Sequence, residues 1–134
     1  MRRFIPVVMF VVFLACMVPA IAQTPGNGDL VLRPIAAAQG TGVSNAALIN
    51  RAEVQLLRVD IAPGGVRVVH SHDDTQFHLF VPITGHMQFQ VESDAPADLA
   101  PWQPIFLKGG TRHGFTNPGT STVTVMEIFM KKQP

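Results

Sequence analysis

Between residue 53 and the C-terminus, apolar and polar residues alternate in short runs that glycine and proline interrupt. A period of two is typical of β-strands with one buried face, and the runs are rich in Val, Ile and Phe. The pattern predicts seven or eight strands, and no run has the spacing of an amphipathic helix. The predicted strands are 29–35, 53–61, 66–72, 75–81, 86–92, 102–108, a strand entered through the turn at 109–115, and 121–131.

The connections between these runs carry turn-forming residues. Residues 63–65 predict a tight turn, residues 117–119 another, and residues 93–101 a surface loop. Residues 36–48 are small and polar, and the sequence leaves a loop and a single helical turn open there. Many short strands separated by turns favour an all-β sandwich or barrel.

The N-terminal residues have a different character. Residues 1–22 carry two arginines, then an apolar run, then small residues that end in Ala20-Ile21-Ala22. This layout is typical of a secretory signal peptide, with cleavage expected after Ala22. A retained membrane anchor is the alternative, but prolines interrupt the run and it is short for a spanning helix. We therefore expect a periplasmic or secreted protein without membrane attachment after cleavage.

The expected mature chain, residues 23–134, has 112 residues, which fits one small domain. It has eight basic and nine acidic residues, a formal charge of −1, and no basic patch stands out. Nucleic acid is therefore not an expected partner. The only cysteine, Cys16, lies in the leader-like segment, so the mature chain offers no disulfide, zinc thiolate or cysteine nucleophile.

Three of the five histidines lie in one short stretch, HSHDDTQFH, at residues 70–78. Side chains alternate between the faces of a strand, so His70 and His72 are expected on the same side. If that side is a barrel interior, two buried imidazoles need hydrogen-bond partners or a metal ion. If it is the outer face, both histidines are solvated. The pair alone leaves both interpretations open.

Two segments together favour the metal interpretation. Residues 64–85 resemble the first motif of the cupin superfamily, and residues 109–117 resemble its second motif, in the order found in that family. The resemblance implies a single cupin jelly-roll β-barrel that holds one divalent metal ion. The residues that carry it are Gly64, His70, His72, Gln76 and Gly85 in the first motif and Gly110, His113 and Asn117 in the second, with His70, His72 and His113 as implied ligands.

The fourth ligand position departs from the family. The glutamate expected after the histidine pair is replaced by Gln76, at the expected distance from His72. His78, by contrast, has the expected distance to Gly85. We predict Gln76 as the fourth ligand, because the short connection before it sets the strand pairing. His78, expected on the same strand face, is then the candidate catalytic residue for proton transfer.

Neutral ligands leave the charge of the ion uncompensated by the protein, which favours an anionic, chelating substrate. Fe, Mn, Ni, Cu and Zn all suit nitrogen-rich ligands. The resemblance implies a metal-dependent enzyme acting on a small oxygenated organic anion, as a dioxygenase or as a Lewis-acid isomerase or lyase, and the leader-like residues 1–22 predict that it is exported. The alternative is a cupin module that binds a sugar or small metabolite without turnover. Dimerisation through edge strands is common among cupins, and the sequence leaves a monomer and a homodimer both open.

The remaining expectations concern the layout of the domain. Residues 23–50 are expected to pack on the barrel as an N-terminal segment with the first strand, and residues 51–134 to form the barrel itself. Arg58 and Arg67 are expected in surface salt bridges, with binding of an anionic substrate as the alternative. His86 is expected at an exposed turn. Most Phe and Met side chains after residue 76 are expected to line the barrel.

Overall fold

A computed structural model of the protein describes residues 30–133. These residues form nine strands and one short 3-10 turn, Ala37–Gln39, and the all-β prediction is confirmed. The predicted leader, residues 1–22, lies outside the described range. No helix within residues 30–133 has the length and hydropathy needed to span a membrane. The strands are β1 (Arg33–Pro34), β2 (Gly40–Asn50), β3 (Val54–His70), β4 (Thr75–Pro82), β5 (Met87–Val91), β6 (Ala97–Leu99), β7 (Ile105–Lys108), β8 (His113–Thr116) and β9 (Val123–Lys131).

The long strand β3 organises the sheet. Its first half pairs with β9 and its second half with β8, while β2 runs along its other edge, and all of these pairings are antiparallel. The order β6-β5-β8-β3-β9-β4-β7 therefore curls around β3 into a half barrel. The hydrophobic core lies inside the curl, and strands on both sides of β3 contribute to it. Its buried residues are Val43, Val59, Ile61, Phe80, Met87, Phe89, Leu99, Leu107, Phe115, Val123 and Val125.

β3 changes neighbours at residues 63–65, where the sequence predicted a turn between two separate strands. The structure has one continuous, bent strand instead. Gly64 has a φ of +71°, which favours glycine, and a Cβ on Gly65 would meet three atoms at 2.8 Å. Asn117 stabilises the bend, because its backbone N–H donates to Gly65 O and its backbone carbonyl accepts from the N–H of Gly64, each at 2.9 Å. These motif residues thus have a structural role.

Two predictions for the connecting segments were wrong in part. Residues 36–48 were expected to form a loop or a helical turn, and Ala37–Gln39 do form a 3-10 turn, but Gly40–Asn50 form β2. Ala97–Leu99 form β6 within the expected surface loop. The small residues of β2 show little hydrophobic alternation, and the strand is stabilised by its backbone pairing along β3. The first strand, β1, is shorter than the predicted 29–35.

Strand parity decides which large side chains enter the core. Phe80, Phe89 and Phe115 are buried, as predicted. Phe77 and Phe106 lie on the opposite face, stacked with their ring centroids 5.1 Å apart, and Phe106 is 59% exposed. Their expected place in the barrel lining was wrong, because each is adjacent along its strand to a buried inward residue. The partly exposed Met126 and Met130 alternate in the same way with buried residues of β9.

Candidate metal centre

Four histidines come together inside the curled sheet. His70 ends β3 and His113 begins β8, and the two residues are direct partners in the register. His72 follows in the connection after β3, and His78 lies on β4, opposite Phe129 of β9. The curl thus brings four imidazoles from three parts of the chain, the end of β3, β4 and β8, to one place.

The distances within this four-histidine cluster are short. Ring centroids lie 4.6 Å apart for His70 and His113, 4.8 Å for His70 and His72, 4.9 Å for His78 and His113, and 5.4 Å for His72 and His78. One ring nitrogen each from His70, His72 and His113 lies within 4.8 Å of the others. The structure therefore brings together the three histidines that the motif resemblance implied as ligands.

Backbone carbonyls fix the orientation of two of these rings. Nδ1 of His70 donates to Val68 O at 2.9 Å, and Nδ1 of His113 donates to Thr111 O at 3.0 Å. Because a carbonyl only accepts, each Nδ1 carries the proton and each neutral ring has its lone pair on Nε2. The Nε2 atoms of His70 and His72 lie 3.1 Å apart. Two nitrogens bound to one ion at ~2.1 Å lie roughly 3.0–3.4 Å apart.

Three buried ring nitrogens have no hydrogen-bond partner within residues 30–133: Nε2 of His113 and both nitrogens of His78. Both side chains are nearly inaccessible, with exposed fractions of 1% and 2%. A buried polar atom left unpaired destabilises the folded state by about 1–3 kcal/mol. A neutral imidazole has one lone pair, so a metal ion in the cluster would give a partner to Nε2 of His113 and to one nitrogen of His78, and the residues present fit a metal.

Gln76 is not part of the cluster. Its side chain is exposed, whereas His78 is buried. The prediction that the two share a strand face was wrong, because the pairing of β4 with β9 shifts in register between Thr75 and Phe77. This irregularity leaves Thr75 and His78 buried and Gln76 outside. The predicted ligand role of Gln76 therefore has no support in the geometry.

Glu127 is a buried carboxyl at the site that the sequence interpretation missed. It lies on β9, where buried and partly exposed residues alternate, and it occupies the buried row with Val125 and Phe129. Its Oε2 lies 3.9 Å from Nε2 of His78. The signal was present in the sequence, because the strict alternation of residues 123–131 places this one acid among inward apolar residues.

Burial controls the protonation of these groups. Loss of hydration lowers the pKa of His70 and of His72 from 6.5 to about 4 and that of His78 to about 3. The same cause lowers the pKa of His113. For Glu127, burial raises the pKa to about 7, and the charge of Arg67 opposes the rise. The neutral imidazoles that result are the form that binds metal.

A cavity of about 200 Å³ lies beside the cluster. His70, His72 and Glu127 form part of its wall. The N-terminal segment also contributes, because the cavity lining includes Ile35, Gln39, Val43 and Asn45. The remaining charged residues around it are Arg67, Asp74 and Lys131.

The two arginines singled out in the sequence differ. Arg58 pairs with Asp60 through two hydrogen bonds of 2.9 Å, which confirms its predicted salt bridge. Arg67 has no carboxylate within 4.0 Å among residues 30–133, so the salt bridge predicted for it is absent there. His86 is exposed next to a turn, as predicted.

Solved structures from several bacteria are similar to this chain. A predicted oxalate decarboxylase from Thermotoga maritima has a TM-score of 0.72 at 16% identity, over 82% of this chain and 100% of that one. The polyketide cyclase RemF from Streptomyces resistomycificus has a TM-score of 0.72 at 17% identity, over 85% and 82%. An RmlC-like cupin from Shewanella frigidimarina has a TM-score of 0.65 at 15% identity, over 78% and 86%.

The sequence comparisons found no match. No protein-family model matches the chain. No curated protein is similar to it in sequence. The likeness to the solved structures is thus one of architecture, and the chain has the cupin jelly-roll fold that its two motifs implied.

Proposed function

We propose that this chain, which has the cupin fold, is a metal-dependent enzyme that moves a proton between two atoms of a small oxygenated organic anion. The observation that carries the proposal is the set of buried ring nitrogens without hydrogen-bond partners in the four-histidine cluster. Two of the similar structures bear enzyme names, polyketide cyclase and predicted oxalate decarboxylase, which is compatible with catalysis on this fold.

In this proposal His70, His72 and His113 hold one divalent ion, and His78 takes the fourth position instead of Gln76. His78 is supported by its buried, unpaired nitrogens. A bound divalent ion would supply Lewis acidity towards a substrate oxygen. Four neutral imidazoles add no negative charge, which supports an anionic substrate.

Glu127 takes the proton-transfer role that the sequence assigned to His78. Its carboxyl is the only buried one among residues 30–133, and it forms part of the cavity wall. A carboxylate there accepts a proton from one substrate atom and returns it to another. A buried carboxyl such as Glu127 that can carry a proton favours an isomerase or lyase reaction. A dioxygenase reaction is less favoured, because proton transfer is not its defining step.

Hydrogen exchange in the substrate tests this proposal. Metal-loaded protein is incubated in D2O without O2, together with small 2-keto and 2-hydroxy acids, and NMR follows the loss of C–H signals. We expect exchange that requires the metal and is lost in Glu127→Gln, while the metal content of that variant equals that of the wild type. Turnover that needs O2 and persists in Glu127→Gln would contradict proton transfer by this residue.

We also propose that the protein is exported to the periplasm or secreted. The support is the leader-like composition of residues 1–22. Cell fractionation and N-terminal sequencing test this, with a mature chain that begins at Gln23 as the expected result. A cytoplasmic protein that retains residues 1–22 would contradict it.

A further inference from the structure

Arg67 is a cation in the cavity wall that forms no salt bridge within residues 30–133, although its charge acts on the buried Glu127 of the same cavity. It lies on β3, three residues before His70, and both residues line the cavity. The acidic and basic side chains that approach within 4.0 Å of each other among residues 30–133 are Arg58 with Asp60 and the neutral His78 with Glu127, and neither pair includes Arg67. Its side chain is neither fully buried nor fully exposed. An arginine in such a place is commonly used to recognise a carboxylate or phosphate.

The N-terminal segment holds this guanidinium in position. Nη1 of Arg67 donates to Gln39 O at 2.7 Å, and Arg67 is the register partner of Gly40. A Cβ on Gly40 would collide with Val66 O, so a glycine is required for this close approach of the two strands. The hydrogen bond uses one of five guanidinium donors and neutralises no charge. Arg67 is therefore fixed in position and still able to bind an anion.

The other charges around the cavity narrow the choice of anion. Nζ of Lys131 is already hydrogen-bonded to Asn50 Oδ1 at 3.2 Å and to Arg51 O at 2.9 Å. Asp74 and Glu127 line the same cavity and oppose a ligand with a high negative charge. One guanidinium beside two acids suits a monoanion with planar, bidentate oxygens, which describes a carboxylate better than a phosphate.

We propose that Arg67 binds the carboxylate of a small organic acid, with the rest of the ligand directed towards the four-histidine cluster. This inference deepens the proposed function and rests on it for the identity of the cluster as a metal site. The cavity volume of about 200 Å³ limits the ligand to a size below that of drug-like molecules. The ligand class is thus a compact monocarboxylic acid with a second oxygen function.

Binding of lactate, its neutral amide lactamide and inorganic phosphate tests the assignment. Isothermal titration calorimetry is carried out on the wild type and on Arg67→Gln, Arg67→Lys and Arg58→Gln, and the metal content of every sample is measured. Arg58→Gln is the matched control, since it removes an arginine that is paired with Asp60 and does not line the cavity. Thermal melts establish that each variant is folded.

We expect Arg67→Gln to weaken lactate binding by about tenfold to a hundredfold, the effect of losing a charge-assisted hydrogen bond. Lactamide binding should be weak and equal in all four proteins, and Arg58→Gln should resemble the wild type. Arg67→Lys should give an intermediate loss, because it keeps the charge without the planar fork. This variant also serves as the test if Arg67→Gln does not fold.

Three results would overturn the inference: equal binding of lactate and lactamide, phosphate binding in preference to lactate, or lactate affinity that is unchanged in both Arg67 variants. Absence of lactate binding at millimolar concentrations in metal-loaded wild type would also overturn it. Lactate binding through Arg67 in a protein that takes up no metal would instead remove the proposed function and leave the carboxylate site standing.

Discussion

Nε2 of His78 lies 3.9 Å from Oε2 of Glu127, and both side chains are buried. The imidazole comes from β4 and the carboxyl from β9, which are neighbours in the sheet. The separation is too long for a hydrogen bond, so neither group satisfies the other. Two buried ionisable groups in this arrangement make the stability of the metal-free protein depend on pH.

We expect Glu127→Gln to stabilise the metal-free protein above pH 7. Burial raises the pKa of Glu127 from 4.5 to about 7, so between these values the folded state retains a proton that the unfolded state has released. The favourable contribution is complete below pH 4.5 and is lost as the pH rises through about 7. Urea unfolding across this range should show the variant gaining up to about 3 kcal/mol relative to the wild type. A constant difference would contradict the raised pKa.

The histidines should make the protein sensitive to acid. Burial lowers the pKa of His70 and His72 from 6.5 to about 4 and that of His78 to about 3. Their stabilising contribution is complete above pH 6.5 and is lost as the pH falls through about 4. Protons also compete with metal for the same nitrogens. Dialysis across this range followed by elemental analysis should show metal release; retention of metal below pH 4 would be the opposite result.

Variants at Gln76 and His78 distinguish the two candidates for the fourth ligand. We expect Gln76→Ala to bind metal as the wild type does, because its side chain is exposed and lies outside the cluster. His78→Ala should lower metal affinity by more than about tenfold, because removal of a direct ligand should cost at least as much as the ~10–100-fold effect of changing a group that only orients the ligands. Competition with a chelator gives both affinities. Loss of metal in Gln76→Ala alone would restore the assignment made from the sequence.

The three motif histidines could be identified from the sequence through the resemblance of two segments to the cupin motifs, since strand alternation alone left His70 and His72 open between a buried and a solvated face. His70 and His113 end and begin strands that pair with each other, and backbone hydrogen bonds of Asn117 to residues 64 and 65 hold the bend that precedes that pairing. Each feature has a local cause, such as strand alternation or a glycine with positive φ. The strand pattern favoured a sandwich or a barrel, and the jelly-roll type was implied by the resemblance.

The residue at the fourth ligand position could not be predicted from the sequence. Whether Gln76 or His78 points inward depends on one register shift in β4, which is a property of its pairing with β9 and not of β4 alone. Strand β2 was missed because its side chains are small and its stability comes from backbone pairing. Glu127, by contrast, was readable from the alternation of β9, so its omission was an error of interpretation.

The local shape of β4 depends on Gly109. A Cβ at this position would collide with Thr75 O, and the N–H of Gly109 donates to Gln76 O at 2.9 Å. We expect Gly109→Ala to destabilise the protein by about 1–3 kcal/mol and to weaken metal binding, because the start of β4 must move and His78 moves with it. Thermal unfolding and metal titration measure the two effects.

Gly64→Ala is the matched control for that variant. Position 64 also favours glycine, because Gly64 has a φ of +71°, but a Cβ added there would have no other atom within 4 Å. The substitution should cost about 1–2 kcal/mol from the left-handed backbone and leave metal affinity unchanged. Equal loss of metal affinity in both variants would show that general destabilisation, and not the position of β4, accounts for the effect.

The metal content of the purified protein tests the central claim most directly. The protein is produced in its natural compartment without added metal and analysed for Fe, Mn, Ni, Cu and Zn, together with His72→Ala and Gln76→Ala. We predict one divalent ion per chain in the wild type and in Gln76→Ala, and its loss from a folded His72→Ala. A metal-free wild type whose melting temperature does not change on addition of any of these ions would contradict the account.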